Sequence, residues 1–236
     1  MVSKAVVVIG GTSGAGRSIV EYLARNNYEV LAVGRNCKQS KISNCEFFKA
    51  DISNRKDLLK LKKKLIELEN LYAVIHNVGG SYGLKDISSD HTIYEKLIFI
   101  NFLSIVELNS VLIPKLLSQK SSRLIHMLTS SVFTLKGNIP YVSSKFALLG
   151  YTKAMAKKFI DDGMIVCGIA PTAINYPDRY IGKLKKSGKK EWQTFRDSEL
   201  MGACLVEPDE IVSAVGFFLS DSGKNCSGSI MKLGGY

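Results

Sequence analysis

The apolar and polar residues of this chain follow two periods that alternate along its length. Short, nearly continuous apolar runs such as KAVVVIG (4–10) and MIVCGIA (164–170) are typical of strands buried on both faces. Between them, apolar residues recur at every third or fourth position, as they do along one side of a helix. The pattern predicts seven strands, at 4–10, 28–34, 46–50, 72–77, 123–129, 164–170 and 229–233.

Helical periodicity is found between these strands, at about 15–26, 55–69, 91–118, 139–159 and 210–220. Strands that alternate with helices form a parallel sheet with helices on both faces. The sequence therefore predicts an α/β fold, a doubly wound parallel sheet of about seven strands, in a single domain, 1–236. The connection at 36–45 is too short for a crossover helix, so a turn or loop is expected there.

Composition narrows the class of protein. The chain has 236 residues, 46% of them hydrophobic, which suits one domain with a large core. Its apolar stretch 97–113 is interrupted by Asn101, Glu107 and Asn109, so no membrane span is predicted. The five cysteines form no C-x-x-C pair and the three histidines lie far apart in sequence. Reduced thiols, a cytoplasmic location and no metal site are therefore expected.

Two basic segments account for much of the formal net charge of +11. Residues 55–64 carry six basic side chains and one acidic one, but an apolar stripe at helical spacing runs through the same segment. Its lysines are most simply the solvated face of a helix. Residues 179–196 carry seven basic side chains and one acidic one, within a polar and aromatic segment, 172–202, that breaks the strand–helix rhythm. No nucleic-acid partner is predicted from this charge.

A glycine-rich turn, IGGTSGAGRS (9–18), joins the first strand to the first helix. Gly10, Gly14 and Gly16 allow a tight turn and a close approach of the backbone to a phosphate, and the N–H groups at a helix start attract an anion. A glycine string in this position of a β–α unit is stronger evidence than a lone one. The turn predicts a phosphate-binding site.

The helix that begins near Ile139 carries Tyr141 and, four residues later, Lys145. A rise of about 1.5 Å per residue places the two side chains on one face, about 6 Å apart. A free phenol has a pKa of about 10, and an adjacent ammonium lowers it. An isolated pair of this kind is more often a surface contact, so the remaining motifs decide its meaning.

Several motifs, in order from about Lys4 to the C-terminus, resemble those of the short-chain dehydrogenase/reductase family. The glycine turn is similar to T-G-x-x-x-G-x-G, with Ile9 at the threonine position, and YVSSK (141–145) matches Y-x-x-x-K. HNVGG (76–80) is similar to N-N-A-G, and LTSSV (128–132) resembles the strand end that bears a catalytic serine. The resemblance implies a Rossmann-type fold and hydride transfer between nicotinamide and a carbonyl or secondary alcohol.

The resemblance also implies four catalytic residues. Tyr141 would be the general acid/base, and Lys145 would tune its pKa and hydrogen-bond the nicotinamide ribose. Asn101 would hold a water that relays protons to Lys145. A serine hydroxyl would polarise the substrate oxygen. Ser131 fits the family pattern better than Ser130, although it lies only ten residues before Tyr141, a shorter spacing than is usual in the family.

Cofactor contacts follow from the same resemblance. Asp51 matches the aspartate that contacts adenine, whereas PTAINY (171–176) departs from P-G-x-x-x-T and leaves a contact by Tyr176 open. His76 is interpreted as a strand-end residue near the cofactor and not as a catalyst. His126 is interpreted as a core residue. The implied cofactor-binding residues are Gly10, Thr12, Ser13, Gly14, Ala15, Gly16, Arg35, Asp51, Ile52, Asn77, Gly79, Tyr141, Lys145, Pro171, Thr172 and Ile174.

The residues after the second strand predict the choice of cofactor. In dinucleotide folds an acidic residue there binds the 2′-hydroxyl of NAD, and an arginine accommodates the 2′-phosphate of NADP. Here Gly34 holds the acidic position and Arg35 follows. A charge-assisted hydrogen bond contributes about 1.5–3 kcal/mol, so NADPH is expected to bind at least about tenfold more tightly than NADH. Arg35→Ala is expected to erase most of this preference and Gly34→Asp to invert it.

Residues 172–202 occupy the place of the family's variable substrate lid. Its aromatic residues Tyr176, Tyr180, Trp192 and Phe195 are candidates for an apolar wall, and its five lysines between 183 and 190 for contacts to an anionic substrate. A 3-oxoacyl thioester and a sugar or other alcohol both stay open as substrates. A non-catalytic NADP sensor or regulator is the alternative function. The resemblance implies a homo-oligomer, a dimer or tetramer, formed through helices 91–118 and 141–160.

Overall fold

A computed structural model describes residues 4–37, 41–81, 90–176, 180–197 and 204–235. Seven parallel strands form one sheet in the order β3-β2-β1-β4-β5-β6-β7. The strands are β1 (Ala5–Ile9), β2 (Glu29–Gly34), β3 (Cys45–Lys49), β4 (Leu71–His76), β5 (Arg123–Met127), β6 (Ile165–Pro171) and β7 (Ile230–Leu233). All seven predicted strands are confirmed, each with ends within two residues of the prediction.

The five predicted helices are also confirmed, with ends within three residues of the prediction, and three short helices are added. A π-helical segment, Phe99–Leu103, interrupts the third predicted helix, and a 3-10 turn, Asp221–Gly223, follows the last one. The helices are α1 (Gly14–Arg25), α2 (Arg55–Ile66), α3 (His91–Ile98), α4 (Ser104–Leu117), α5 (Ser131–Thr134), α6 (Ile139–Lys158), α7 (Tyr180–Ser187), α8 (Lys189–Phe195) and α9 (Pro208–Leu219).

Successive residues of the strands face opposite layers of helices. Val6 and Val8 of β1 belong to a core cluster with apolar residues of α1 and α9. Val7 and Ile9, the alternate residues, belong to a second cluster with α2, α4 and α6. Because side chains alternate across a strand, an unbroken apolar run supplies both cores at once. The doubly wound, Rossmann-type architecture is therefore confirmed.

The sheet order creates a reversal point at β1. The chain places β2 and β3 on one side of β1, then crosses over to β4 on the other side. Open α/β sheets bind their ligands at such a point, outside the carboxyl ends of the strands. The turn after β1, Arg35 after β2 and Asn77 after β4 all lie at that edge. The topology thus gathers segments that are far apart in sequence.

Two further sequence expectations concern single segments. In the connection at 36–45 the described residues contain no helix, Cys45 already begins β3, and residues 38–40 lie outside the described part. The helical stretch His91–Leu117 is long and apolar enough to cross a membrane, judged by length and composition alone. Core helices of water-soluble proteins meet the same criterion, and Leu108 and Leu112 of this stretch are fully buried in the core of this protein.

Candidate active site

A cleft that we call the glycine-turn cleft lies at the carboxyl ends of β1, β2 and β4. Nine of the residues predicted to bind a cofactor line this cleft. They lie in the loops that follow β1, β2, β3 and β4. They are Gly10, Thr12, Ser13, Gly14, Arg35, Asp51, Ile52, Asn77 and Gly79.

The backbone shapes the turn itself. Gly10 has a φ of +85°, a conformation that favours glycine. A Cβ on Gly16 would collide with the carbonyl oxygen of Gly10 and lie 2.6 Å from Asn77 Nδ2. Asn77 Nδ2 also donates to that carbonyl oxygen at 3.1 Å, which ties the turn to the end of β4. Gly16, the one predicted cofactor-binding residue that lines neither cavity described here, therefore acts by allowing this close packing.

The start of α1 suits an anion. Ser13 precedes α1 in an extended conformation and makes no side-chain capping hydrogen bond. The first turn of the helix contains no acidic side chain. The first N–H groups of a helix lack intrahelical partners, and the helix dipole adds partial positive charge there. The end of α1 that borders the cleft can thus hold a phosphate group.

The residues past β2 and β3 line the far end of the cleft. Arg35 borders it, whereas Arg17 donates from Nε to Glu21 Oε1 at 2.7 Å and lies over the Phe47 ring. Asp51 Oδ1 accepts hydrogen bonds from the N–H of Ser53 at 2.9 Å and from its hydroxyl at 2.7 Å. These two bonds hold the Asp51 carboxylate in a defined orientation.

Gly34 packs closely against Thr12. A Cβ at position 34 would collide with Thr12 Oγ1 and lie 2.9 Å from Thr12 Cβ. Thr12 thus occupies the space in which the side chain of an aspartate at 34 would begin. The simple exchange Gly34→Asp is therefore no longer expected to invert cofactor preference.

A second cavity, which we call the tyrosine cavity, continues from the first and shares Gly14, Asn77 and Gly79 with it. Its volume of about 430 Å³ is within the range for small-molecule sites of roughly 300–1,000 Å³. Six more of the predicted cofactor-binding residues line it: Ala15, Tyr141, Lys145, Pro171, Thr172 and Ile174.

The first turn of α6 places Tyr141. Asn138 caps the helix by accepting a hydrogen bond from the Tyr141 N–H at 2.9 Å, and Pro140 stands in the first turn, where its missing N–H costs nothing. Burial raises the pKa of the Tyr141 hydroxyl above its ordinary value, and a hydrogen bond with Thr129 opposes this shift in part. Lys145, which was expected from the sequence to lower this pKa, is not among the groups that shift it here.

Lys145 is buried and held by backbone carbonyls. Its Nζ donates to Met127 O at 2.9 Å and to Val78 O at 3.3 Å, and its side chain is 2% exposed. Burial lowers the pKa of Lys145 to about 8. The ammonium is thus still mostly charged at neutral pH and joins the ends of β4 and β5.

Asn101 lies in the π-helical segment between α3 and α4 and is fully buried. Its Oδ1 accepts from the Gly80 N–H at 2.8 Å, and its Nδ2 donates to Gly80 O at 3.2 Å. A Cβ on Gly79 would collide with Asn101 Oδ1 and lie 2.9 Å from Lys145 Nζ. The structure therefore brings Asn101 and Lys145 together across Gly79, and π-bulges of this kind are frequent at functional sites.

The hydroxyl-bearing segment after β5 differs from the sequence interpretation. Among the described residues that line the tyrosine cavity, Thr129 is present and Ser131 is absent. Ser131 begins α5, with its Oγ 3.2 Å from Thr129 Oγ1. The unusually short spacing between Ser131 and Tyr141 was the available signal, because Thr129 lies twelve residues before the tyrosine. Sequence reasoning passed over Thr129 because a serine was expected.

The lid contributes part of the apolar wall. Tyr176, Ile181 and Phe195 line the tyrosine cavity, and Trp192 stacks on Phe195 with ring centroids 5.8 Å apart. Tyr176 Oη lies 2.9 Å from Ser18 Oγ of α1, a contact that the sequence did not indicate. Of the predicted lid, residues 177–179 and 198–202 and the side chains of Tyr180 and Lys189 lie outside the described part.

One lid lysine has local partners. Lys185 Nζ donates to Asn175 Oδ1 at 2.7 Å and lies 5.3 Å from the centroid of the Trp192 ring. Asn175 Nδ2 in turn donates to Glu207 Oε1 at 2.6 Å. Lys185 therefore connects α7 to the segment before α9 and is a poorer candidate for binding an anionic substrate.

His76 and His126 lie behind the tyrosine cavity. Both are fully buried, and their rings stack with centroids 5.4 Å apart. His76 Nε2 lies 2.8 Å from Asn109 Oδ1, and His126 Nδ1 lies 2.9 Å from Thr152 Oγ1. Burial lowers the pKa of His76 to about 4 and holds the pKa of His126 well below its usual value. Both rings are neutral at pH 7, and neither lines the two cavities.

Comparison with families of known proteins adds independent information. Residues 4–180 match the sequence model of the family described as short chain dehydrogenase. An uncharacterized oxidoreductase, YmfI, of Bacillus subtilis (strain 168) is 25% identical over 248 residues, which cover 99% of this chain and 98% of that protein.

Solved structures share the fold. The L-sorbose reductase of Gluconobacter frateurii, complexed with NADPH and L-sorbose, superposes with a TM-score of 0.85 at 19% identity, over 99% of this chain and 96% of that one. A 4-hydroxyisoleucine dehydrogenase complexed with NADH superposes with a TM-score of 0.82 at 22% identity, over 99% and 98%. Both nicotinamide cofactors thus occur on this fold.

Proposed function

This chain belongs to the short-chain dehydrogenase family of nicotinamide-dependent oxidoreductases, and on that premise we propose that it is an NADPH-dependent carbonyl reductase. One observation carries the proposal. Tyr141 lines a cavity that shares Gly14, Asn77 and Gly79 with the glycine-turn cleft, so an acid and the glycine turn border one continuous site.

The chain's own residues fit such a cofactor. The turn at Gly10 and Gly16 leaves no room for a Cβ, and the start of α1 offers N–H groups to a pyrophosphate. Asp51 would contact the adenine, while Pro171 and Ile174 would border the nicotinamide. Reduced nicotinamide supplies the hydride when it is bound.

Tyr141 is the proton donor in this proposal. Burial raises the pKa of its hydroxyl, so the phenol is protonated at neutral pH. A protonated phenol beside a carbonyl oxygen donates its proton as that oxygen gains negative charge. A protonated phenol is the form of the acid that reduction of a ketone requires. Lys145 and Asn101 hold the strand ends around it.

The proposed preference for NADPH rests on the segment after β2. No acidic residue lies between Val30 and Gln39, and Arg35 borders the cleft. Thr12 fills the space beside Gly34 that an acidic side chain would need. A guanidinium at this end of the cleft suits a 2′-phosphate, whose charge it offsets.

The proposed substrate is a 3-oxoacyl thioester or a ketone with a comparable apolar chain. The lid side of the tyrosine cavity is walled by Ile174, Ile181 and Phe195, which suit an acyl chain better than a sugar. Tyr141 and Lys145 are among the polar residues that line the same cavity. A chain packed against the apolar wall would leave its carbonyl for Tyr141.

The test is reduction of a panel of ketones, 3-oxoacyl thioesters and sugars with NADPH, followed by nicotinamide absorbance. We expect turnover of a 3-oxoacyl compound. Tyr141→Phe should lower kcat by roughly 10²–10⁴-fold, the usual contribution of general acid catalysis, with little change in the Kd for NADPH. Tight NADPH binding without turnover of any member would favour the non-catalytic sensor instead.

We also propose that the chain forms a homo-oligomer through α4 and α6. Leu103, at the junction with α4, is 44% exposed, and Phe146 of α6 is 39% exposed. Large apolar side chains on neighbouring helices favour association. Light scattering should give a multiple of 26.0 kDa, and the mass of a monomer would contradict this proposal.

A further inference from the structure

The helix α2 presents positive charge and aliphatic side chains on the face that points away from the sheet. Its leucines Leu58, Leu61 and Leu65 are fully buried in the core. The side chains on the opposite face are exposed: Lys56, Leu59, Lys60, Lys63 and Ile66. We call these five the α2 face. With 3.6 residues per turn, they fall within a sector of about 120° and extend over about 15 Å of the helix.

The lysines of α2 divide into two groups. At the flanks of the helix, Lys64 Nζ lies 2.9 Å from Glu46 Oε1, and Lys62 Nζ lies 3.9 Å from Glu107 Oε1. Among the residues that the structure describes, no acidic side chain forms an ion pair with the three lysines of the α2 face. The fold therefore leaves the positive charge of this face unneutralised.

Two large aliphatic side chains lie among these lysines and face solvent. Leu59 is 57% exposed and Ile66 is 56% exposed. They lie four residues before and three residues after Lys63, so both are its neighbours on the helix surface. Glu67 and Glu69 follow α2 and limit the basic surface at its C-terminal end. Exposed aliphatic groups beside unpaired lysines suit a partner that is anionic at its surface and apolar below.

We propose that the α2 face docks on the surface of an anionic lipid bilayer. The lysine ammonium groups would bind lipid phosphates, and Leu59 and Ile66 would enter the boundary between headgroups and acyl chains. The helix carries six basic residues, within the range of about four to eight that is typical of helices that bind anionic lipid. This inference goes beyond the proposed reductase function and does not depend on it.

The composition of the α2 face favours a bilayer over other anionic partners. A phosphate backbone would attract the lysines but would leave Leu59 and Ile66 in water, and the face has no aromatic ring on which a base could stack. The cores of protein interfaces are enriched in aromatic residues, Met and Arg and depleted in Lys. The α2 face has the opposite composition.

Binding of the full chain to lipid vesicles tests the proposal. We expect the protein to sediment with vesicles of equal parts phosphatidylcholine and phosphatidylglycerol, and not with vesicles of phosphatidylcholine alone. The triple variant Lys56→Gln, Lys60→Gln, Lys63→Gln should bind roughly 100-fold more weakly, because each lysine near an anionic surface contributes about fivefold. The double variant Leu59→Gln, Ile66→Gln should bind about tenfold more weakly, with an unchanged dependence on salt.

A matched control uses three exposed lysines outside α2. The triple variant Lys120→Gln, Lys157→Gln, Lys224→Gln removes the same charge and should weaken vesicle binding less than about threefold. Urea unfolding should give all three variants the wild-type free energy of unfolding, because only exposed side chains change. An equal loss of binding in the two lysine variants would mean attraction by net charge alone and would overturn the proposal.

Three further outcomes would also overturn it. These are a wild type that does not bind the anionic vesicles, wild-type vesicle binding by Leu59→Gln, Ile66→Gln, and binding of duplex DNA, but not vesicles, that the α2 lysine variant loses. A lower mass of Leu59→Gln, Ile66→Gln in light scattering would assign the face to contact between copies of this chain instead. The vesicle assay needs neither cofactor nor substrate, so a wild type without reductase activity would not affect this result.

Discussion

The glycine-turn cleft and the tyrosine cavity adjoin each other, yet they are built from different parts of the chain. Backbone shapes much of the first: Gly10 and Gly16 pack carbonyl against Cα, and strand ends supply the rest. Side chains from β5, α6 and the lid wall much of the second. A site that is shaped by the backbone of one turn can be recognised from a contiguous sequence motif. A site that is shaped by side chains depends on contacts between segments far apart in sequence.

The largest effect is expected from adding one methyl group to the glycine-turn cleft. Gly16→Ala places a Cβ against the Gly10 carbonyl and 2.6 Å from Asn77 Nδ2, and these atoms belong to the turn and its anchor. We expect the Kd for NADPH, measured by titration, to rise at least about 100-fold, equivalent to about 3 kcal/mol. Gly150→Ala in α6 is the matched control, because nothing lies within 4 Å of its added Cβ. Normal NADPH binding by a folded Gly16→Ala protein would contradict the backbone origin of the cleft.

The second prediction concerns the buried histidine pair behind the tyrosine cavity. Because of this pair, the protein should become less stable as the pH falls. His76 and His126 are neutral when folded, and the pKa of His76 is about 4 against about 6.5 when unfolded. Between these values the unfolded chain binds more protons, so stability is fully present above pH 6.5 and falls as pH drops to 4. His76 alone accounts for roughly 3 kcal/mol over this range.

Urea unfolding at pH 7, 6 and 5 measures this loss. His76→Asn should make the free energy of unfolding less dependent on pH, because the titrating group is gone. The same substitution should also lower stability at pH 7. If the free energy of unfolding does not change between pH 7 and 5, the conclusion that the two buried histidines are neutral in the folded protein would be wrong.

The third prediction concerns cofactor preference. It tests whether a substitution chosen from the sequence alone can change which cofactor the glycine-turn cleft binds. Because of the collision with Thr12, Gly34→Asp should weaken binding of both cofactors without making NADH the preferred one. Gly34→Asp combined with Thr12→Gly gives the carboxylate room and should favour NADH. Arg35→Ala should weaken NADPH about tenfold and leave NADH unchanged. Fluorescence titration of each variant with both cofactors decides, and inversion by Gly34→Asp alone would contradict the role given to Thr12.

The smallest effect is expected where the two regions touch through side chains. Tyr176 Oη and Ser18 Oγ join the lid side to α1 at 2.9 Å. A hydrogen bond of this kind contributes about 1 kcal/mol, so Tyr176→Phe should change the Kd for NADPH by roughly fivefold. Ser18→Ala should have the same effect, and the double variant should add nothing further. Additive effects would show that the two hydroxyls act separately.

Much of the fold and the location of the site were predictable from sequence. Short, largely apolar segments marked the seven strands, and the periodic segments marked the long helices. The glycine turn, Arg35 and Asp51 were predictable because each directly follows a strand, and parallel strands end at one edge of the sheet. Tyr141 and Lys145 were predictable because four residues on one helix fix their relation.

Other features depended on the tertiary structure. Thr129 rather than Ser131 lines the tyrosine cavity because the chain turns into α5, with Ser130 already in a helical conformation and Ser131 as the first residue of that helix. The collision of position 34 with Thr12 and the bond between Tyr176 and Ser18 likewise join separate segments. Burial decided the direction of the Tyr141 pKa, and that burial depends on the elements packed around α6.

The sequence by itself thus determined which segments are strands and helices and which loop forms the glycine turn, because periodicity and glycine conformation act over a few residues. Only the tertiary structure decided which hydroxyl faces Tyr141, how buried that phenol is and where a Cβ has no room. These properties depend on distances and desolvation, which are set by atoms contributed from the whole chain.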